Sequence, residues 1–321
     1  MRAAYFENYG SVEHLMIKDQ PVPEPEEHEV LVRNHASSLN FGNVGHVKGE
    51  PFFIRAFSGL NSPKKHVPGG DVSGVIEKVG KQVTGFKPGD EVMGDAADSG
   101  FGAFAEYVTV NSKVIVPKPV NLSYEKTATL PLAACTALSG LKKGNIQPGQ
   151  NVLIVGSTGS VGPFAVQIAK SFGAEVTAVC SGKKAGFVRS MGADHIIDYT
   201  TEDFRDNDNA YDLVLGIAGT HSMSDFKKKL TPTGTYVNIG GSMKQFSNAF
   251  TTGPLLYLFS RQKFSILMYM ADQKTLQEVK KMAEEGTIKP TITKTFSLDQ
   301  ISDAYSYYES GHAAGKIVIT M

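Results

Sequence analysis

The chain has 321 residues, more than the roughly 100 to 200 that one domain usually holds, so we expect two domains. Its 32 basic residues balance 32 acidic ones and no block of Lys or Arg stands out, which argues against a partner such as nucleic acid or an anionic membrane. The two cysteines, Cys135 and Cys180, exclude a disulfide scaffold. We therefore expect a cytoplasmic protein that acts on a small molecule.

Short strand-like runs separated by Pro, Gly and Asp dominate residues 1–122. Residues 29–33 and 72–77 are predicted strands of this kind, and the turn sequences at 68–70 and 87–90 interrupt the pattern. This region is predicted to form a small β-rich domain.

The pattern changes near Ser123, a predicted helix N-cap before an apolar-periodic segment that runs through Leu141. Strands then alternate with helical segments, as in a doubly wound α/β domain with a parallel sheet buried on both faces. The predicted strands are 151–155, 175–180, 195–198, 212–215 and 235–239.

The last predicted strand, 316–320, is expected to return to the sheet of the first domain. The fold class is therefore α/β, with one domain made of residues 1–122 and 271–321 and a second, nucleotide-binding domain at 123–270. The apolar stretch from 255 to 270 is interrupted by Arg261 and Lys263, so it is shorter than the roughly 20 apolar residues of a membrane span.

A glycine-rich turn follows the strand at 151–155 and precedes a predicted helix at 163–172. Glycines in this context let a dinucleotide pyrophosphate approach the free N–H groups and the positive dipole end of a helix. The alternative is an ordinary structural turn. The candidate cofactor-binding residues are Gly156, Ser157, Thr158, Gly159, Ser160, Val161 and Gly162.

The end of the second predicted strand distinguishes NADPH from NADH. An Asp or Glu there accepts the ribose 2′-hydroxyl of NADH, but this chain has Ser181, Lys183 and Lys184. No carboxylate at this strand end would repel a 2′-phosphate, and a hydroxyl and two ammonium groups can bind one. NADPH is therefore the predicted cofactor, with a solvated lysine loop as the alternative. Further candidates at strand ends are Tyr199, Gly240 and Gly241, for which a surface tyrosine and a tight turn are the alternatives.

Several motifs, in order along nearly the whole chain, resemble those of the medium-chain dehydrogenase/reductase superfamily. They lie at residues 68–80, 86–92, 102–108, 130–138, 156–162, 191–199 and 311–319. The form of the glycine-rich turn resembles the zinc-free quinone oxidoreductase branch, which includes zeta-crystallin. The resemblance implies a GroES-like substrate domain, a Rossmann domain, and an active site in the cleft between them.

The resemblance also bears on zinc. Asn40 and Gly70 stand where the alcohol dehydrogenases of the superfamily have metal ligands, and no thiolate cluster or closely spaced His pair replaces them. We therefore expect no metal site. Without a metal to polarise a saturated alcohol, reduction of a quinone or another conjugated carbonyl is the favoured chemistry.

The resemblance implies roles for residues outside the glycine-rich turn. Asn40, the candidate catalytic residue, would lie by the nicotinamide and hydrogen-bond the cofactor or the substrate carbonyl. Thr136 would contact the nicotinamide end, and Lys316 would be a basic residue near the cofactor. Turn capping, core packing and strand-end solvation are their respective alternatives. Asn43 replaces the Asp of many relatives, which weakens a proton-relay assignment. The candidate substrate pocket consists of Asn43, His46, Phe52, Phe53 and Phe101, although packing under a loop explains these aromatic residues equally well.

The apolar segment 264–270 is predicted to be an edge strand that would aggregate if left unpaired. Pairing across a twofold axis is the usual solution among these proteins, so we expect a homodimer.

Two other functions are compatible with the sequence. The first is an enoyl-thioester reductase. Related proteins with that activity rely on a Tyr in the loop that follows the Asn40 region, and this chain has no Tyr between Asn40 and Val67, so we rank this function lower. A non-catalytic NADPH-sensing protein would keep the nucleotide fold without turnover.

Overall fold

The structure is a computed structural model that describes residues 1–50, 55–97, 99–241, 251, 255–258 and 260–321, apart from the side chains of residues 56 and 57. The described chain divides into two compact units. The first consists of Met1–Cys135, Met270–Gly286 and Pro290–Met321, and the second of Thr136–Tyr269 and Thr287–Lys289.

The strands and helices are numbered in chain order. The strands are β1 Arg2–Tyr5, β2 Met16–Asp19, β3 Glu29–Ser38, β4 Asp71–Val79, β5 Glu91–Asp95, β6 Tyr107–Asn111, β7 Ile115–Pro117, β8 Asn151–Val155, β9 Glu175–Cys180, β10 His195–Asp198, β11 Tyr211–Gly216, β12 Leu230–Asn238, β13 Lys263–Ile266, β14 Ile292–Ser297 and β15 Lys316–Thr320. The helices are α1 Phe41–Lys48, α2 Arg55–Ser58, α3 Tyr124–Thr127, α4 Ala133–Lys143, α5 Gly162–Ser171, α6 Ala185–Ser190, α7 Met223–Lys228, α8 Gln273–Glu284 and α9 Ile301–Glu309.

The first unit is built on a sheet that runs β14-β15-β3-β4-β5-β7, with β6 also paired to β3. Its core consists of apolar side chains at alternate strand positions, such as Val30, Val32 and Ile76. The C-terminal strand β15 pairs antiparallel with β3, Val318 lying opposite Ser38. The prediction that the chain returns to complete this sheet is confirmed.

The second unit contains a parallel sheet in the order β10-β9-β8-β11-β12-β13 among the described strands. Numbered within the unit, this is the 3-2-1-4-5-6 order of a Rossmann fold. Strands such as β8 and β9 are buried on both faces after their first residue, which explains their continuous apolar sequences. The order reverses between β8 and β11, and ligands of such sheets bind at the carboxyl ends of the strands there.

Two predicted elements differ from the structure. The segment 264–270 forms a strand only at Lys263–Ile266, because its partner β12 ends at Asn238, and Met268 and Met270 are exposed. The helix predicted from Ser123 to Leu141 is divided into α3 and α4, since Pro131 disfavours a continuous helix there. Ser123 does cap α3, its hydroxyl accepting from the Lys126 N–H.

Residues 123–135, which the sequence assigns to the second domain, group with the first unit. Ala128 packs with Ala36 and Val318 in that unit, and the Leu132 N–H donates to the Asp71 carboxylate at 2.8 Å. The compact units and the domains predicted from composition therefore divide the chain at different points.

Candidate active site

The glycine-rich turn between β8 and α5 depends on two glycines. Gly156 has a φ of +92°, and a Cβ there would lie 2.7 Å from the Ala218 Cβ. A Cβ on Gly162 would lie 2.4 Å from the Gly156 carbonyl oxygen. Neither position accepts a larger residue without a backbone shift.

Gly159 has a different environment. It is exposed, and a Cβ there would find no atom closer than the Gly156 oxygen at 4.0 Å. The space beside this glycine is open, as the close approach of a pyrophosphate to the backbone requires. The open space beside Gly159 therefore supports dinucleotide binding independently of the sequence motif.

Ser157 is buried, and its hydroxyl donates to the Val179 carbonyl of β9 at 2.9 Å. This bond fixes the turn to the neighbouring strand and leaves the hydroxyl engaged within the protein. The side chains of Thr158 and Ser160, by contrast, are half-buried in the turn.

The loop that follows β9 contains the residues predicted to select NADPH. Gly182–Lys184 forms a 3₁₀ turn, in which the Lys184 N–H donates to the Ser181 carbonyl at 2.8 Å. Lys183 is exposed, whereas partial burial lowers the pKa of Lys184 and the Cys180 thiol opposes that shift. The structure places two ammonium-bearing side chains directly beyond the carboxyl end of β9.

The end of β9 itself carries no carboxylate, as predicted, but the neighbouring strand brings one to this loop. Asp198, the last residue of β10, pairs in register with Cys180, the last residue of β9. The Asp198 carboxylate accepts hydrogen bonds from Thr200 and from the Gly182 N–H, which hold its pKa below the usual value. The sequence contained a signal for this contact. The third strand of a Rossmann sheet lies beside the second, and in this chain the third strand ends in Asp198.

Among the other residues predicted for cofactor binding in the second unit, Tyr199, Gly240 and Gly241 lie at the same carboxyl edge of the sheet. Thr136 lies at the start of the unit. Tyr199 follows β10 and is 62% exposed, so its ring is available to a ligand. Gly240 follows β12, and a Cβ there would lie 2.6 Å from the Ile217 carbonyl oxygen; Gly241 has a φ of +124°. Thr136 is buried in α4. Contact of these residues with a cofactor stays a prediction.

In the first unit, Asn40 and Lys316 belong to one buried polar cluster. The Lys316 ammonium is fully buried and donates to the Asn40 Oδ1 atom, and it lies 3.4 Å from the Asp71 Oδ2 atom. Asn40 Nδ2 donates to the same Asp71 oxygen at 2.6 Å. Both ends of the Asn40 amide are thus engaged inside the protein.

Asp71 is the centre of this cluster. Its carboxylate also accepts from the Ser38 hydroxyl and, through Oδ1, from the Leu132 N–H. Burial lowers the pKa of Lys316, and the Asp71 carboxylate opposes that shift. Asp71 lies within the motif at residues 68–80, but no sequence pattern predicted a role for it.

Two of the substrate-pocket residues predicted from the sequence, His46 and Phe101, are in contact, and Asn43 lies on the same helix as His46, α1. Asn43 is buried, and its Oδ1 atom accepts from the Asn40 N–H at 2.8 Å. His46 is also buried: its Nε2 atom lies 3.0 Å from the Lys65 carbonyl oxygen, and Phe101 packs edge-on against its ring. Burial lowers the pKa of His46, which favours the neutral imidazole. Phe52 and Phe53 lie outside the described residues.

Among the residues that the structure describes, no group of three or more His, Cys, Asp or Glu side chains is arranged to hold a metal ion. Across the same residues, none of the helices is both long and apolar enough to cross a bilayer.

The chain is similar to known proteins along its whole length. One family model, described as an alcohol dehydrogenase GroES-like domain, matches residues 26–120, and another, described as a zinc-binding dehydrogenase, matches residues 191–319. The 2-methylene-furan-3-one reductase of Solanum lycopersicum is 36% identical over 99% of this chain and 79% of that protein. This chain belongs to the medium-chain dehydrogenase/reductase superfamily.

Two further similarities identify the branch of the superfamily. The chloroplastic NADPH-dependent alkenal/one oxidoreductase of Arabidopsis thaliana is 32% identical over 99% of this chain and 79% of that protein. A quinone oxidoreductase structure from Coxiella burnetii matches with a TM-score of 0.90 and 28% identity, over 100% of this chain and 99% of that one. This medium-chain reductase is an oxidoreductase of the quinone oxidoreductase branch and uses a nicotinamide cofactor.

Proposed function

We propose that this medium-chain reductase transfers a hydride from NADPH to a quinone or another conjugated carbonyl, such as an enone or alkenal, without a metal. The proposal depends on two loops at the carboxyl edge of the Rossmann sheet. The turn with the open space at Gly159 follows β8, and the loop with Lys183 and Lys184 follows the adjacent β9. A turn open to pyrophosphate, beside a loop with two ammonium groups, suits a dinucleotide that carries a 2′-phosphate.

The substrate class follows from what the residues can supply. The nicotinamide supplies the hydride when bound. In the first unit, both ends of the Asn40 amide are engaged, by Lys316 and by Asp71, so Asn40 does not supply a strong acid. A conjugated acceptor spreads the arriving charge onto its own oxygen, so its reduction needs only positioning and modest hydrogen bonding. The names of the tomato and Arabidopsis relatives support this class.

Zinc independence rests on the contact between Lys316 and Asn40. Asn40 stands at a position where metal-dependent members have a ligand, and here its Oδ1 atom accepts from a buried ammonium group. A divalent cation at that oxygen would meet the Lys316 charge with little solvent screening. We therefore propose that the ammonium takes the place of a metal in this cluster.

Turnover tests the proposal directly. We expect the full chain to oxidise NADPH with a naphthoquinone or an alkenal as acceptor, to leave saturated primary alcohols unreacted with NADP⁺, and to keep its activity after exhaustive treatment with a chelator. The measurement is NADPH absorbance during steady-state assays of all three substrate classes. Turnover of alcohols that is lost on chelation would contradict the proposal.

We also propose a homodimer formed through β13, the edge strand of the described Rossmann sheet. Phe264 and Ile266 are half-buried there, and exposed Met268 and Met270 follow. We expect light scattering to give twice the mass of one chain and Phe264→Lys to shift it toward the monomer. A monomeric wild-type chain at micromolar concentration would contradict the dimer.

The two other candidate functions share the Rossmann site, and we rank them below the reductase. An enoyl-thioester reductase would turn over an acyl thioester faster than any free enone. A sensor would bind NADPH tightly but would not oxidise it, whichever acceptor is supplied. The cytoplasm stays our proposed location, although the Arabidopsis relative is named as chloroplastic.

A further inference from the structure

Asp198 joins two loops at the adenosine end of the proposed cofactor site. Its strand β10 runs parallel to β9, and the Tyr199 N–H donates to the Cys180 carbonyl at 3.0 Å. The Asp198 side chain therefore starts level with the last residue of β9 and reaches the loop at 181–184, which follows β9.

The contact between Asp198 and that loop is close. A Cβ on Gly182 would lie 2.1 Å from the Asp198 Oδ2 atom, and the Gly182 N–H donates to the carboxylate. Only glycine fits against the carboxylate at this distance. Because Gly182 begins the 3₁₀ turn Gly182–Lys184, the carboxylate holds the turn at its first residue.

The remaining oxygen of the carboxylate is also engaged. Asp198 Oδ1 accepts from the Thr200 N–H at 3.0 Å and from the Thr200 hydroxyl at 2.7 Å. A carboxylate that recognises NADH must accept from the ribose 2′-hydroxyl, but the Gly182 N–H and the two Thr200 donors take up most of the roughly four acceptor positions of Asp198. Its contacts therefore suit a structural anchor better than a ligand of the ribose.

We propose that Asp198 is a positioning residue that favours NADPH over NADH, because it fixes the turn that carries Lys183 and Lys184. This inference rests on the proposed function. Long lysine side chains lose much rotamer freedom when they bind a phosphate, so a fixed backbone beneath them lowers the cost of binding. Asp198 is half-buried at the protein surface, where solvent and salt screen part of its charge, so we expect anchoring to outweigh its repulsion of the 2′-phosphate.

Binding measurements on the full chain test the role of Asp198 without relying on activity. Dissociation constants for NADPH and NADH, from the change in cofactor fluorescence, are compared for Asp198→Ala, Asp198→Asn and Gly182→Ala. We expect Asp198→Ala and Gly182→Ala each to weaken NADPH binding about tenfold, as loss of one or two hydrogen bonds implies, and NADH binding by less than about twofold. Asp198→Asn, which keeps an acceptor oxygen, is expected to recover part of the loss.

The control variant is Asp208→Ala, which removes an exposed carboxylate from the same unit and should change neither constant. Tighter NADPH binding by Asp198→Ala would show that charge, and not anchoring, is the role of Asp198. Equal weakening of both cofactors, or no change, would also overturn the inference. If the wild-type chain itself fails to bind NADPH more tightly than NADH, the proposed cofactor choice fails instead, so the two failures are distinguishable.

Discussion

Gly162→Ala is expected to destabilise the protein and abolish cofactor binding, whereas Gly159→Ala is expected to weaken binding alone. The new methyl group at residue 162 would lie 2.4 Å from the Gly156 oxygen and 2.4 Å from the Ser157 carbonyl carbon. Both contacts are with backbone, which cannot rotate away as a side chain can. Overpacking of this kind costs about 1–3 kcal/mol in the free energy of unfolding.

Gly159 provides the matched comparison, because a methyl group there would lie no closer than 4.0 Å to the Gly156 oxygen, which is an ordinary contact. We expect Gly159→Ala to leave the unfolding midpoint within about a degree of the wild type, since surface changes usually cost less than about 0.5 kcal/mol. Its NADPH affinity should still fall at least tenfold, because the methyl group occupies the space of the pyrophosphate. Calorimetric melts and cofactor titrations measure both. Unchanged affinity in Gly159→Ala would remove this turn from the cofactor site.

Asp71→Asn is expected to have the largest effect on stability outside the glycine-rich turn. The substitution leaves the Lys316 ammonium fully buried without its carboxylate partner, and breaking a buried pair in this way costs about 3–5 kcal/mol. Asp71→Asn combined with Lys316→Met removes both charges, and we expect it to recover most of the loss. Urea denaturation at neutral pH measures these differences.

The pH dependence provides a second measurement on the same variant. Burial lowers the pKa of Lys316 below the ordinary 10.5, and Asp71 offsets part of this shift. A lysine with a lowered pKa in the folded state binds its proton better when unfolded, so stability rises with pH between the folded and unfolded pKa values. Without Asp71 the folded pKa drops further, and this window reaches lower pH. The deficit of Asp71→Asn should therefore shrink as pH rises toward 10, and a constant deficit would contradict the assignment.

The sequence predicted those parts of the fold that depend on neighbouring residues along the chain, such as apolar runs and the turns that follow them. The strands β8, β9 and β10 have the predicted bounds because each is a short apolar run that is followed by a turn or a polar residue. The glycine-rich turn was recognisable because its glycines serve the backbone itself, through a positive φ at Gly156 and crowding at Gly162.

The parts that were missed depend on contacts between distant residues. The contact between Lys316 and Asp71 spans 245 residues and requires β15 to lie beside β3, so no local pattern indicates that the ammonium is buried. Asp198 reaches Gly182 only because β10 and β9 pair in one particular register. The predicted strand at 264–270 was too long for a similar reason, since the end of β12 limits the pairing of β13.

The most direct test of the account is the affinity of the wild-type chain for NADPH and for NADH, compared with that of a Lys183→Ala/Lys184→Ala variant. We expect the wild type to prefer NADPH by at least about tenfold, and the variant to lose most of that preference while its NADH affinity stays the same, because charge-assisted contacts to phosphate are worth roughly 1.5–3 kcal/mol. Equal affinities of the wild type for both cofactors, or an unchanged preference in the variant, would contradict the assignment of this loop as the site of the 2′-phosphate.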